Sequence, residues 1–414
     1  MRCQTSSIET GFLAEVNLVE LGARTGLFWS SNMVVLVGFG LVESIEVDLL
    51  DGAGALSAAL MARGWTGSPG EAGVGPVGFA ALPFDRSCPG TAQIPSLTIV
   101  ERDGRRFLTH PEVVSITEVE REVRSIIDAD TNLSPPTIAL DLDRSADRWR
   151  DDVVQVARDL IAASPLEKVV LARQLTLQAN ADFVVAPLVE DLYRRFSHAN
   201  VFSIDGFIGA SPELLVSRDG RTVRAHPLAG TATRKPDDAE DAAQVAALLS
   251  SGKDRIEHQI TIDWLLAELL PYCSYVDAEP EPSIVTLANV HHLGTLVEGV
   301  LSEPAASILD LVAAVHPTPA VGGNPQGEAL QIIADLEGFD RQRYAGPAGW
   351  IDVTGNGEFA VSVRTAQIQG STATIAAGVG VVAQSDPEDE LLETQAKLRA
   401  MLGTFLRQVD GTTA

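Results

Sequence analysis

Cysteine is scarce: Cys3, Cys88 and Cys273 are the only three among 414 residues, and none stands in C-x-x-C spacing. An odd, scattered set excludes a disulfide framework and a thiolate metal centre, and it fits a reducing cytoplasm with each cysteine a small core residue. Positive charge is short as well, with 30 Lys and Arg against 56 Asp and Glu and a formal net charge of -26. No basic run interrupts that excess, so most of this surface repels a nucleic-acid backbone. Long apolar runs are missing. Glu9, Glu15 and Glu20 break up the first thirty residues, and residues 33–42 are too few to span a bilayer. Neither secretion nor membrane insertion is expected. The seven histidines show no zinc-ligand spacing, so zinc is not expected either.

What is present suffices for a large core. The hydrophobic fraction is 45% and the mean hydropathy is +0.13. We read the chain as one large domain in two parts. Residues 1–140 read as a less regular N-terminal part completing the sheets, with strand-like runs at 33–42 and 77–82 and Gly- and Pro-rich stretches at 67–76 and 85–95. Pro135 and Pro136 mark a connection to the second part, residues 141–408. No internal repeat of fixed period occurs.

The second part is more legible. Apolar spacing predicts a helix over 146–163, closed by Ser164-Pro165, then a strand over 167–173 and a helix over 186–197. Hairpins are expected at Asp205-Gly206, at 218–221, at 355–357 and at 369–371. A strand over 283–289 and helices over 253–270, 307–316, 328–336 and 385–407 complete the pattern. Hairpins with helices between them indicate an α+β fold on largely antiparallel sheets.

Two of these helices carry more than packing. In 385–407, Ser385 or Asp386 caps the start, Leu391, Leu398, Met401, Leu402 and Leu406 form an apolar stripe, and Glu390, Glu393 and Lys397 share another face at i, i+3 and i+7. A solvated face with a Glu393–Lys397 pair explains this as readily as a site does. The 253–270 helix repeats the pattern with Asp254 and Glu257 at i, i+3, and two carboxylate pairs on separate helices could face one hard cation.

Six ordered blocks then resemble the signature blocks of the chorismate-utilising enzymes, and within that family the isochorismate synthases. They are LEKVVLAR at 166–173, GASPE at 209–213, PLAGT at 227–231, KDRIEH at 253–258, HPTPAVGG at 316–323 and the 390–397 face. The resemblance covers roughly residues 140–408. It implies two stacked, largely antiparallel sheets surrounded by helices, with the site in a deep cleft.

Isochorismate synthases add water at C2 of chorismate while the C4 hydroxyl leaves. The resemblance makes Lys168 the base that activates water and Glu213 the acid that protonates the leaving hydroxyl. A glutamate acid needs its pKa raised by an apolar or anionic setting. Chorismate is a dianion, and Mg²⁺ is the natural counter-charge in so acidic a chain. Glu257 and Glu393 are its expected first ligands, with Glu390 and Asp254 closing the shell directly or through water. Arg364, Tyr344 and the backbone of Gly378, Val379 and Gly380 are expected at the enolpyruvyl carboxylate, with Lys397 close by. Gly230 and Thr231 can donate to ring oxygens, and His292 has a positioning role. His258, His291 and His316 are read as structural.

Sister activities differ at single residues. Aminodeoxychorismate synthases resemble PIKGT where this chain has Ala229, so the covalent lysine is absent. Anthranilate synthases usually lack a lysine at the place of Lys168, and they work with a glutaminase partner, which is not expected here. Salicylate synthases, which go on to eliminate pyruvate, remain the alternative, and a non-catalytic chorismate-binding homologue is a second one. The family includes monomers, and no partner-docking feature stands out. The sequence leaves open whether the product serves menaquinone, a siderophore or salicylate.

Overall fold

The computed structural model describes residues 2–50, 54–67, 70–129, 136–142, 144–287 and 290–410. Pro135, the 68–69 part of the first glycine-rich stretch and the last two residues of the 283–289 strand lie outside the described residues.

The chain builds its sheets by pairing neighbours antiparallel, as the turn residues dictate. Asp205 and Gly206 both take left-handed backbone, at φ 53° and 70°, and join Asn200–Ile204 to Phe207–Ser211 in a two-residue hairpin. One hydrogen-bonded path crosses Ile138–Leu142, Lys168–Ala179, Thr372–Val381, Thr365–Gln369, Phe207–Ser211, Asn200–Ile204, Leu27–Ser30 and Val35–Val47. From Gly90–Arg102, which pairs with Val35–Val47, a second path crosses Val77–Ala81, Pro347–Asp352, Gly357–Val361, Leu214–Asp219, Thr222–His226, Val297–Leu301 and Cys273–Ala278. The two sheets are thus continuous through one long strand pair, whose register slips at a bulge between Phe39 and Val42. Trp29 and Phe202 of the first sheet pack with Phe79 and Trp350 of the second in one apolar cluster, so the sheets face each other there. The fold is α+β.

The N-terminal part is more regular than its composition suggests. Val35–Val47 and Gly90–Arg102 are the longest strands of the molecule, and half of the glycine-rich 85–95 stretch is strand. Alternation is masked there because successive residues are buried over 36–39 and 97–100, while 40–44 are all exposed.

A small sheet stands apart: Leu228–Thr233, Val290–Gly294 and Ser283–Thr286 pair antiparallel. It packs with Asp238–Ser250, a helix missed in sequence, and with Gly252–Leu269, capped by Ser251. This layer forms one wall of a cleft. The other wall is Lys168–Ala179 and Thr372–Val381 with the Pro387–Asp410 helix behind them. Asp386 caps that helix, accepting from Glu388 N at 2.8 Å and Asp389 N at 3.2 Å, while Ser385 instead receives Val382 N. Its buried stripe is Leu391, Leu398, Met401 and Phe405; Leu406 is exposed, because Phe405 occupies the inward position. The predicted 146–163 helix forms with a π turn at Arg150–Val154.

Candidate active site

Every residue expected at the base, acid, substrate and cation positions lines one cleft of about 420 Å³. Its floor is the strand pair. Lys168 opens Lys168–Ala179 and is buried. Its stem lies over Gly380, where an added Cβ would stand 2.7 Å from Lys168 Cε, so only glycine leaves room for this lysine. The amine lies 3.6 Å from a Glu257 carboxylate oxygen on the opposite wall.

Glu213 sits at the bend between Phe207–Ser211 and Leu214–Asp219, fixed by its N–H to Ser211 Oγ. Burial pushes its carboxyl up to about 8, against the opposing pull of the Leu228 backbone and of Lys168, Arg364 and Lys397. A carboxyl that stays protonated at neutral pH is a proton donor.

Arg364 takes left-handed backbone at φ 54°, unusual for a long side chain and a form of strain that clusters at functional sites. Its Nη2 donates to His292 Nε2 at 3.2 Å, while Nη1 is buried with no hydrogen-bond partner among the described residues. Desolvation lowers its pKa to about 10, partly opposed by Glu213, so it remains a cation. Such an orphaned donor calls for an anion.

His292 is neutral, because burial and then Arg364 push its pKa down to about 3. With Nε2 accepting from arginine, the proton resides on Nδ1, which lies 3.2 Å from Gly230 O and 3.1 Å from Thr231 Oγ1. Thr231 can accept there and keep its own hydrogen for a ligand. Gly230 itself needs glycine's freedom, at φ 73° with Asp254 Cβ 3.0 Å from where a Cβ would be.

Lys397 Nζ reaches Gly378 O at 2.9 Å and Glu393 at 2.8 Å. Tyr344 is pushed up to about 12 chiefly by burial and hydrogen-bonds to the Gly378 backbone. The Gly378 carbonyl is thus taken by Lys397, while Arg364 Nη1 stands in the same cleft as a buried donor without a partner among the described residues.

A family model described as chorismate binding enzyme matches residues 12–406. The chain belongs to that family. The match with isochorismate synthase DhbC of Bacillus subtilis is 41% identical over 253 residues, taking in 58% of this chain and 64% of that protein. Isochorismate synthase EntC of Escherichia coli strain K12 is 33% identical over 341 residues, 80% of this chain and 81% of that one. The solved structure of MenF, the menaquinone-specific isochorismate synthase of Escherichia coli, superposes with a TM-score of 0.79 at 25% identity, covering 98% of this chain and 94% of that one.

In this chorismate-binding enzyme, Asp254 and Glu257 face the cleft from one wall and Glu390 and Glu393 from the other. Their oxygens suit a hard cation. Among the described residues no three ligand-type side chains converge on one point. Glu257 is turned to Lys168 at 3.6 Å and Glu393 to Lys397 at 2.8 Å, so carboxylates that would hold a cation lie against the lysine amines.

The histidines read as structural are held by protein. His258 bonds Thr295 Oγ1 at 2.7 Å, His291 lies between Asp241 and Thr286, and His316 donates to Phe84 O at 2.9 Å. Leu228, Ala320, Val321, Gln384, Asp386 and Asp389 also line the cleft and were not given a site role from the sequence. Asp386 and Asp389 lie four residues before Glu390 and Glu393, a helical spacing that could have found them.

Proposed function

We propose that this chain is an isochorismate synthase acting on chorismate with Mg²⁺, alone and in the cytoplasm. The reading rests above all on Glu213, a carboxyl held protonated in the same cleft as a buried lysine and a buried arginine with an unused donor. Lys168 takes a proton from water as its oxygen attacks C2 of the ring. Both ring double bonds shift round the ring towards C4, and Glu213 delivers its proton to the departing C4 hydroxyl. Water enters and water leaves, so the conversion is an isomerisation. Arg364 receives the enolpyruvyl carboxylate through Nη1, with His292 fixing the guanidinium and Thr231 donating to a ring oxygen. Asp254, Glu257, Glu390 and Glu393 would hold Mg²⁺, which neutralises the ring carboxylate when bound.

The test is purified protein with chorismate and Mg²⁺, products separated chromatographically. Isochorismate alone is expected. Salicylate with pyruvate would make the chain a salicylate synthase, and no turnover alongside tight chorismate binding would make it a non-catalytic relative.

A further inference from the structure

One edge of Lys168–Ala179 is paired along its length by Thr372–Val381, but the other is incomplete. Gly323–Asn324 covers Val169 and Lys168, and Ile138–Leu142 covers Leu175 to Ala179. Between them no strand runs among the described residues: Val170 N reaches Gly322 O at 2.9 Å, but the carbonyl of Val170 and both backbone groups of Ala172 would be left bare in the core. Side chains fill the gap. Glu337 Oε1 accepts from Ala172 N at 2.6 Å, Arg341 Nη2 donates to Val170 O at 2.7 Å, and Trp149 Nε1 donates to Ala172 O at 3.1 Å.

Glu337 and Arg341 are both 6% exposed and pair with each other, Arg341 Nε donating to Glu337 Oε2 at 2.8 Å. Arg341 also donates from Nη1 to Val321 O at 2.9 Å and stacks on Phe84, and its carbonyl receives Tyr344 N at 2.8 Å. The glutamate is the last residue of Gln326–Glu337, the helix end at which a negative charge is disfavoured. A buried ion pair at such an end is a poor source of stability, since well-packed apolar residues usually do as well. What apolar residues cannot do is hold three backbone points of the cleft in register.

We propose that Glu337 and Arg341 are positioning residues for the reaction. Through Val170 and Ala172 they fix the strand that starts at Lys168, through Val321 they fix the wall formed by Ala320 and Val321, and through the Arg341 carbonyl they fix Tyr344. They touch no reacting atom. The inference rests on the reading of Lys168 as the base.

The test compares wild type with Arg341→Lys, which keeps the charge and loses the planar fork, and with the double variant Glu337→Leu/Arg341→Met, which removes both charges together. Thermal unfolding, chorismate affinity by calorimetry, and kcat and KM for isochorismate formation are measured. Both variants are expected to fold, with affinity and KM within about threefold of wild type, and kcat reduced about 10- to 100-fold, the effect of a small displacement of a catalytic group. The Arg341→Lys loss should be the smaller. Unchanged kcat in folded variants overturns the proposal. So does failure of both variants to fold, which makes the pair a stability element, and so does a loss confined to KM. A wild type that makes no isochorismate would instead remove the functional reading beneath it.

Discussion

Three side chains carry most of the chemistry in the proposed reaction, and their settings differ in kind. Lys168 is buried against a glycine and faces a carboxylate, Glu213 is buried so that it keeps its proton up to about pH 8, and Arg364 is buried with a donor to spare. Lys168→Met is expected to abolish isochorismate formation while shifting the unfolding midpoint by only a few degrees, since the long apolar stem still covers Gly380. Retention of most of the activity would take lysine out of the base role. For Glu213 the sign follows from linkage. Its folded pKa of about 8 stands above the ordinary 4.5, so its favourable contribution is fully present below pH 4.5 and is lost as pH rises to about 8. Glu213→Gln should therefore gain stability relative to wild type between those values, with no further gain above pH 8, while losing turnover. A melting-temperature difference that does not vary with pH contradicts the raised pKa. In the wild type, kcat should fall as pH passes about 8, where the acid gives up its proton.

Elements bring these groups together from far apart in the chain. The Pro387–Asp410 helix was legible from its capping residue and apolar spacing, and the faces carrying the acids of this helix and of Gly252–Leu269 followed from the 3.6-residue period. The Asp238–Ser250 helix was not legible, because its Ala-rich sequence buries little and has no strong apolar stripe. Gly380 is the case in which an element's role is set by its neighbour: nothing in Val379-Gly380-Val381 says that a lysine from the adjacent strand lies over it. Gly380→Ala should leave the fold intact, since the atom it meets is the mobile end of a side chain, and should cut kcat about 10- to 100-fold by displacing the amine. Steady-state kinetics beside a thermal melt checks both halves of that statement.

At the scale of the molecule, the two parts read from the sequence are interleaved. Leu27–Ser30 pairs with Asn200–Ile204, and Val77–Ala81 pairs with Pro347–Asp352, so deleting the N-terminal part would bare two sheet edges and the apolar face around Trp350 and Phe202. Residues 141–410 expressed alone are expected to aggregate or to lack the near-ultraviolet circular dichroism of packed aromatics; a soluble, native-like fragment would contradict this. Composition, helix periods, turn residues and the six motif blocks sufficed by themselves for the α+β class, the family resemblance and the candidate residues, because these depend on local spacing and residue type. Only the tertiary structure decided that burial holds the Glu213 proton, that Arg364 keeps a buried donor to spare, that Glu257 and Glu393 rest on lysines, and that Glu337 and Arg341 complete a broken strand edge. Those outcomes depend on which groups lose water together and on which partners meet across hundreds of residues, and one-dimensional order carries neither.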